Sequence, residues 1–311
     1  MNIHNKTVGL IGGAGYIGSQ IVKRLYKNNQ IVVYSRDELK HYELNREFPK
    51  VNCVMGDVNN FERLKRTVQN CDILINCAAI KQIHAATKNP EEATQTIVNG
   101  AINSKLASIE NDMEASCLIT TDKCTEPNLI YGHLKAAAQE IYVNNNERGG
   151  TRFSACKYGN ILNSKMSIIP TINYAINNQI VLKINNEEMT RFNYLAEDAI
   201  DLIFTSLDYS NSVIIPKLRS FRVLDLFKIY NERFGLIFTD GKLKIGEKLH
   251  EKLFGEEESR RLSYDRDKNI FIVGLNETTP NEYTGTDYSS RDYCMSKEEL
   301  DDLLKTFNYF R

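Results

Sequence analysis

The sequence predicts an α/β fold built on a doubly wound parallel sheet, with a smaller C-terminal lobe. Three observations predict it. Short apolar, often β-branched runs alternate with helical stretches through the first half of the 311-residue chain. A glycine-rich turn joins the first run to the first helix. Hydrophobic residues make up 42% and charged residues 25%, which allows a sizeable core and excludes general disorder.

Six strands are predicted in order along the N-terminal half. The first is Thr7–Ile11, followed by the glycine turn and an amphipathic helix to about residue 27. A helix between the fourth and fifth strands begins with Asn89 as its N-cap and Pro90 in its first turn. The other strands are predicted at residues 31–34, 52–55, 73–77, 116–120 and 154–158. Because crossovers between parallel strands are right-handed, this alternation favours a Rossmann sheet.

Beyond residue 158 the pattern is mixed. Helices are predicted near 169–177, 196–207 and 223–234, and short strands near 181–184, 213–216 and 270–273. No repeat and no Pro- or Gly-rich linker separates the two halves. We therefore predict a dinucleotide-binding Rossmann domain over residues 1–165, to which the chain returns near 190–216. Residues 166–311 are expected to form mainly a substrate-binding lobe and tail.

Charge and cysteine content restrict the class of protein. Lys and Arg number 39 against 40 Asp and Glu, without the basic excess typical of nucleic-acid binding. No apolar run reaches the roughly 20 residues that a bilayer span needs, and the N-terminus lacks a secretory signal. The seven Cys include no C-x-x-C pair, and the five His show no metal-ligand spacing. We expect a cytoplasmic protein that binds no metal, nucleic acid or membrane.

The turn after the first strand has a G-x-x-G-x-x-G spacing at Gly12, Gly15 and Gly18. Glycine is needed where the backbone turns sharply and approaches a pyrophosphate, and the following helix N-terminus supplies N–H donors. Tight turns without a ligand also use glycine. The position at the first strand-to-helix junction nevertheless favours a dinucleotide.

The end of the second strand distinguishes the possible cofactors. NAD sites usually place Asp or Glu there, whereas Ser35, Arg36 and Lys40 could hold a 2′-phosphate. These side chains favour NADP, and Asp37 leaves NAD as an alternative. The third possibility is a solvated loop that binds no ligand. The predicted cofactor contacts are Gly12, Gly13, Gly15, Tyr16, Ile17, Gly18, Ser35, Arg36, Lys40, Asp57, Val58, Ala78, Ala79, Tyr131 and Lys135.

A Tyr-x-x-x-Lys motif follows the fifth strand, at Tyr131 and Lys135. On a helix the two side chains share one face, and a neighbouring ammonium favours the phenolate that a tyrosine base requires. The same spacing recurs at Tyr264 and Tyr293. These two copies do not follow a strand of the predicted parallel sheet, and chance explains them better.

Thr121, Asp122 and Lys123 lie between the fifth strand and that motif. An acid and a potential base side by side, where a nicotinamide reaction would occur, suit the elimination of water. The alternative is a surface turn with an exposed ion pair.

These residues belong to a series of segments that resembles the extended short-chain dehydrogenase/reductases. Within that family the chain is similar to the inverting UDP-N-acetylglucosamine 4,6-dehydratases (5-epimerases) of polysaccharide biosynthesis. The tail from residue 282 onward resembles longer members that supply L-sugar branches. The segments are YSRDELK at 34–40, GDV at 56–58, AAIKQ at 78–82, TDK at 121–123, TRFS at 151–154, YGN at 158–160, SIIP at 167–170, MTRF at 189–192 and GEKLHE at 246–251.

The resemblance implies an NADP-dependent lyase, acting as a homo-oligomer on a UDP-sugar. It implies that Tyr131 removes the C4 hydroxyl proton, that Lys135 stabilises the phenolate and that Thr121 bonds the substrate hydroxyl. Lys123 would take the C5 proton, which requires a lowered pKa, and Asp122 would protonate the departing C6 hydroxyl. The implied substrate contacts are Lys81, Gln82, Asn160, Arg191 and Glu247.

The chain departs from the family pattern near the site, which bears on substrate affinity and sugar identity. The departures stand at Ile97, His84, Asn163, Lys165, Met166, Lys244 and Ile245. Two other functions stay open. A nucleotide-sugar 4-epimerase or reductase would have no use for the Asp122–Lys123 pair, and a non-catalytic NADP-binding regulator could lose Tyr131 or Lys135.

Overall fold

The computed structural model describes residues 3–144, 150–165, 167–276, 283 and 285–310. The first helices and strands are β1 (Thr7–Ile11), α1 (Tyr16–Leu25), β2 (Gln30–Ser35), α2 (Glu38–Glu47), β3 (Asn52–Met55), α3 (Phe61–Thr67) and β4 (Ile73–Asn76). There follow α4 (Ile83–Lys88), α5 (Pro90–Thr94), a π-helical turn (Gln95–Asn99), α6 (Gly100–Glu110), β5 (Ala115–Ile119), a 3-10 turn (Asp122–Cys124), α7 (Ile130–Val143) and β6 (Arg152–Cys156).

The C-terminal part alternates short strands with helices. Its elements are β7 (Asn160–Ile161), α8 (Ile168–Asn177), β8 (Leu182–Ile184), β9 (Thr190–Tyr194), α9 (Ala196–Ser206), β10 (Ser212–Pro216), β11 (Ser220–Arg222), α10 (Val223–Phe234), β12 (Phe238–Asp240), α11 (Glu256–Ser259), β13 (Leu262–Asp265), β14 (Ile270–Val273) and α12 (Lys297–Thr306). Among the described residues, none of the helices combines the length and apolar composition needed to span a membrane.

The main sheet has the strand order β13-β14-β10-β6-β5-β4-β1-β2-β3. All neighbours from β10 to β3 pair in parallel, and β14 and β13 add an antiparallel edge. Every residue of β4 is buried, as expected for a parallel strand covered on both faces. The order reverses direction between β1 and β4, and ligands bind at the carboxyl ends of strands beside such a reversal. The predicted Rossmann sheet is confirmed.

The C-terminal lobe has a core of its own. Side chains from α8, α10 and α12 pack together there, including Ile172, Phe227, Tyr230 and Leu304. Two small sheets complete the lobe region, β11-β9-β7 and the parallel pair β12-β8.

The chain returns to the main sheet twice after residue 165. β10 lies within the stretch 190–216 in which we expected a return, whereas β9 belongs to a small sheet. The second return, β13 and β14, extends the main sheet from a region assigned to the lobe. The register pairs Val213 of β10 with Val273 of β14. β13 reads Leu-Ser-Tyr-Asp and has no apolar run, which explains why its sequence gives no strand signal.

Candidate active site

A cleft of about 1120 Å³ opens between the carboxyl edge of the main sheet and the C-terminal lobe. The predicted site residues on its wall are Gly12, Gly15, Tyr16, Ile17, Gly18, Ser35, Arg36, Lys40, Val58, Ala78, Ala79, Lys81, Thr121, Lys123, Tyr131, Lys135, Asn160, Arg191 and Glu247. The predicted site residues off the wall are Gly13, Asp57, Gln82 and Asp122. The fold thus brings together segments that are far apart in the sequence.

The glycine turn forms a tight backbone cradle. Gly12 has a φ of +71°, and a Cβ there would lie 3.0 Å from the Cα of Ala78. A Cβ on Gly18 would lie 2.3 Å from the carbonyl oxygen of Gly13, so only glycine lets α1 pack this closely against the turn. Gly15 caps α1 without a side-chain hydrogen bond. The first N–H groups of α1 have no partner within the helix, and together with the small residues of the turn they fit a pyrophosphate.

The cations expected at the ribose are held by carboxylates. Arg36 Nη1 lies 2.8 Å from Glu92 Oε1 and 3.3 Å from Asp57 Oδ2. Lys40 Nζ lies 2.5 Å from Asp37 Oδ2, and Asp37 also caps α2. Asp57 therefore acts here as a partner of Arg36 rather than as part of the cleft wall. Because both cations and Asp37 border the cleft, the loop is compatible with a 2′-phosphate or a 2′-hydroxyl.

Tyr131 and Lys135 lie on the first two turns of α7 and are both buried. Lys135 Nζ donates a hydrogen bond of 2.8 Å to the carbonyl oxygen of Ile119. Burial lowers the pKa of Lys135 to about 8 and raises the pKa of Tyr131 to about 12. Tyr131 is therefore a neutral phenol at pH 7, and a cationic group beside it is needed to make it a base.

The 3-10 turn after β5 concentrates charge around one amine. Thr121 is the N-cap of this turn, and its hydroxyl donates to Asp122 Oδ1 over 3.0 Å. Lys123 Nζ donates to Asp122 Oδ1 over 2.9 Å and to Asn160 Oδ1 over 3.2 Å. Glu251 Oε1 lies 3.7 Å from the same Nζ. Three oxygen ligands thus surround the ammonium group of Lys123.

The electrostatics of this turn differ from the expectation for Lys123. Burial alone would lower the pKa of Lys123, but the carboxylates of Asp122 and Glu251 outweigh it and raise that pKa. The carboxylates thus hold Lys123 as an ammonium ion, whereas a C5 base requires the neutral amine. Burial raises the pKa of Asp122 despite the opposing charge of Lys123. A raised pKa suits a proton donor, although Asp122 is fully buried behind the wall.

Arg191 and Glu247 face the same part of the cleft. Arg191 Nη2 lies 3.5 Å from Glu247 Oε1, and its Nη1 donates to the carbonyl oxygen of Thr190 over 2.7 Å. Glu247 Oε2 also accepts a hydrogen bond of 2.9 Å from Asn185. This network fixes the guanidinium plane at the wall, where an anionic diphosphate can be bound by two parallel hydrogen bonds.

Lys81 crosses the mouth of the cleft. Its Nζ donates to the carbonyl oxygen of Lys165 over 2.8 Å and lies 3.4 Å from Ser164 Oγ. Gln82 is instead exposed as the N-cap of α4, outside the cleft wall. Gln82 therefore does not share the cleft with Lys81, its neighbour in the sequence.

The departures from the family pattern have different environments. Ile97 is buried in the core, while Thr96 lines the cleft. Both lie in the π-helical turn, where Asn99 points outward and donates to Gln95 Oε1 over 2.8 Å. Asn99 therefore does not replace the expected Asn. Asn163 is exposed, and Met166 lies outside the described residues.

Glu251 and His41 are among the residues of the site that were missed from the sequence. Glu251 is buried beside Lys123, and its only signal was its place at the end of the GEKLHE segment. His41 lies beneath the ribose loop, with its Nε2 2.6 Å from Ser35 Oγ. Burial lowers the pKa of His41, so it is neutral near pH 7. A helical His four residues beyond the N-cap Asp37 gives no signal of that contact.

Known proteins share this chain's sequence and fold. Residues 8–273 match the family described as polysaccharide biosynthesis protein. The chain is 30% identical to an inverting UDP-N-acetylglucosamine 4,6-dehydratase of Campylobacter jejuni, with 98% of each chain covered. It is 32% identical to an uncharacterized membrane protein of Methanocaldococcus jannaschii, with 98% of this chain and 97% of that one covered. A UDP-glucose 4-epimerase of Rickettsia massiliae is 28% identical, with 98% and 97% covered.

Among solved structures, the X-ray structure of Pen from Bacillus thuringiensis aligns with a TM-score of 0.91 at 25% identity, covering 100% of both chains. The matches to sequence and structure both extend over nearly the whole chain, and they confirm the resemblance inferred from the motifs. The chain therefore belongs to the polysaccharide biosynthesis family, within the extended short-chain dehydrogenase/reductases.

Proposed function

We propose that this protein is an NADP-dependent UDP-N-acetylglucosamine 4,6-dehydratase that inverts C5. Its product would be UDP-2-acetamido-2,6-dideoxy-β-L-arabino-hexos-4-ulose. The observation that carries the proposal is the cleft wall on which Thr121, Lys123 and Tyr131 lie together, with Asp122 directly behind Lys123. The 30% identity to the Campylobacter jejuni dehydratase supports the choice of substrate and of an inverting outcome.

The cofactor would be bound by the backbone cradle and the ribose loop. The glycine turn would hold the pyrophosphate, and Ser35, Arg36 and Lys40 would hold the 2′-phosphate. Ala78 and Ala79 leave room beside them because their side chains are small. When bound, the nicotinamide supplies oxidation of the sugar at C4 and the matching reduction at C6.

Tyr131 would take the proton from the C4 hydroxyl of the sugar. Lys135 stabilises the resulting phenolate and is itself held by the carbonyl oxygen of Ile119. The pKa of Tyr131 must fall from about 12 for this step, and positive charge in the cleft lowers it. The C4 ketone then acidifies the proton on C5.

The elimination needs a neutral amine and a protonated carboxyl group. Transfer of one proton from Lys123 to Asp122, across their 2.9 Å hydrogen bond, produces both. Lys123 would then remove the C5 proton, while hydroxide leaves C6 and is protonated to water. Asp122 supplies that proton, and the hydroxyl of Thr121 offers a route because it touches Asp122 and lines the cleft. Return of a proton to C5 from the opposite face inverts that carbon.

The test is proton NMR of the protein with NADP+ and UDP-N-acetylglucosamine in D2O. We expect a new C6 methyl signal together with deuterium at an inverted C5. A methyl signal with the ring couplings of the D-gluco configuration would show a retaining enzyme and overturn the role of Lys123. Lys123→Ala should abolish methyl formation, and a normal rate in that variant would also overturn the role.

A 4-epimerase or reductase is the second candidate, and the 28% identity to the Rickettsia massiliae epimerase favours it. The same NMR experiment distinguishes the two, because 4-epimerisation inverts C4 without a methyl signal. A third candidate, an NADP-binding regulator, would bind NADP without any turnover of UDP-sugars. From the family resemblance we further propose a cytoplasmic homo-oligomer, which light scattering during gel filtration would detect.

A further inference from the structure

The amine of Lys123 lies between two carboxylates that are 129 residues apart in the chain (251 − 122). Asp122 is its sequence neighbour, whereas Glu251 stands in the segment that also carries Glu247. Glu251 is buried, and its Oε2 has no hydrogen-bond partner among the described residues. Its Oε1 lies 3.7 Å from Lys123 Nζ and 3.9 Å from Arg191 Nε. Oε1 of Glu251 therefore faces both the Lys123 amine and the Arg191 guanidinium, whereas Oε2 is hydrogen-bonded to neither.

The backbone holds Glu251 rigidly in this place. Its N–H donates to Ser290 Oγ over 2.9 Å, and its carbonyl oxygen accepts from the N–H of Ser290 over 2.8 Å. Ser290 is itself tied to Thr190, the residue before Arg191, by a 2.7 Å hydrogen bond. A carboxylate fixed by its own main chain keeps its charge at a constant distance from Lys123.

We propose that Glu251 is a positioning residue for the elimination. Its carboxylate holds the Lys123 side chain at the cleft wall as an ammonium ion and thereby sets the pH above which the Asp122–Lys123 pair loses the proton that the elimination needs. This inference rests on the proposed function, since it assigns Glu251 to the same proton transfer. Glu251 itself does not line the cleft, and so it acts through Lys123.

Other charged and titratable groups also face Lys123. Asp122 is the nearer anion, Arg191 is a cation that opposes both carboxylates, and the Tyr131 phenol interacts with Lys123 across the wall. Lys248 faces Glu251 and lowers its pKa together with Lys123 and Arg191, against the effect of burial. Because these cations keep Glu251 ionised, its charge is present through the neutral pH range.

The experiment compares wild type with Glu251→Gln, which removes the charge but keeps the shape of the side chain. The pH dependence of kcat for 4-keto product formation is measured with saturating NADP+ and UDP-N-acetylglucosamine. Because the elimination uses one proton shared between Lys123 and Asp122, kcat falls at alkaline pH when this pair loses that proton. Loss of the Glu251 carboxylate lowers the pKa of the pair, so we expect this fall in kcat to occur about one pH unit lower in the variant. The KM for the nucleotide sugar should change less than threefold.

A matched control is Glu247→Gln, which removes one charge from the same segment. Glu247 contacts Arg191 and Asn185 rather than Lys123, so this variant should raise KM and leave the pH of the alkaline fall in place. Glu251→Asp restores the charge and should return the fall toward its wild-type pH. A fall at the wild-type pH in Glu251→Gln, in protein that binds NADP+ normally, would overturn the inference.

A second readout does not depend on turnover. Lys123 Nζ is accessible from the cleft, with 22% of the side chain exposed, so trace acetylation can be followed at this residue by mass spectrometry across pH. The amine should become reactive at lower pH in Glu251→Gln than in wild type. If no UDP-sugar is dehydrated but the acetylation shift appears, the proposed function fails and the charge coupling stands. Dehydration with no shift in either measurement contradicts the coupling alone.

Discussion

Lys157 carries a buried charge directly behind the site, and its removal should destabilise the protein strongly. Its side chain is fully buried and donates to Glu258 Oε1 over 2.5 Å and to Thr125 Oγ1 over 3.1 Å. Lys157→Met keeps the length of the side chain but leaves Glu258 without its cation. Because the Glu258 side chain is only 15% exposed, water cannot fully solvate the unpaired carboxylate. Breaking a buried ion pair on one side lowers the free energy of unfolding by about 3–5 kcal/mol.

That loss converts into a measurable change in Tm. An unfolding entropy of about 2.1 cal/mol/K per residue over 311 residues gives a conversion of roughly 0.65 kcal/mol per degree. We therefore expect Lys157→Met to lower Tm at pH 7 by about 5–8 °C in scanning calorimetry. The double variant Lys157→Met/Glu258→Gln should recover most of the loss, because no unpaired charge is then left buried.

The control is a surface pair of the same kind. Lys305 lies 2.8 Å from Asp301 with 47% of its side chain exposed, so Lys305→Met should leave Tm nearly unchanged. If Lys157→Met lowers Tm no more than Lys305→Met does, the buried pair contributes no net stability. An equal loss in the single and double variants would show that packing, not the unpaired Glu258, causes the effect.

Three further predictions concern the cofactor cradle and Lys135. Gly18→Ala should weaken NADPH binding at least about tenfold in a fluorescence titration because its Cβ clashes with Gly13. Gly150→Ala is the control and should bind NADPH normally, because its Cβ would have no heavy atom of another described residue within 4 Å. Arg36→Ala should weaken NADP+ by about tenfold and NAD+ by less than threefold in calorimetry; equal losses would contradict a 2′-phosphate contact. The folded-state pKa of Lys135 is lowered to about 8, below its unfolded value, so the unfolded chain binds more protons between about pH 8 and 10.5. In urea unfolding, wild type should therefore gain stability relative to Lys135→Met as pH rises through that window.

The parallel sheet could be predicted because its strands are buried on both faces. Runs such as Thr7–Ile11 and Ile73–Asn76 are almost wholly apolar. The helices between successive strands require right-handed crossovers, which join parallel strands. The short strands of the lobe gave weaker signals. β7 and β11 span only two and three residues, too few to show a period, and their pairing depends on tertiary contacts.

The site could be predicted where its chemistry is local in sequence. Thr121, Lys123, Tyr131 and Lys135 lie close together along the chain and all reach the cleft wall. Glu251 could not be assigned this way, because nothing near it in sequence indicates a contact with Lys123. The direction of the Lys123 pKa shift could not be predicted for the same reason. It depends on the carboxylates of Asp122 and Glu251, and only Asp122 is a sequence neighbour of Lys123.

The second return of the chain to the main sheet has a consequence for synthesis on the ribosome. β6 needs β10 as its parallel neighbour, and β10 in turn needs β14, which ends at Val273. At about 5–20 residues per second, the roughly 55 residues between β6 and β10 leave an apolar strand edge unpaired for about 3–11 s. A second open edge, on β10, then persists until β14 emerges. The nascent chain thus exposes first the edge of β6 and then the edge of β10, and we expect a chaperone that covers strand edges to raise the yield of folded protein.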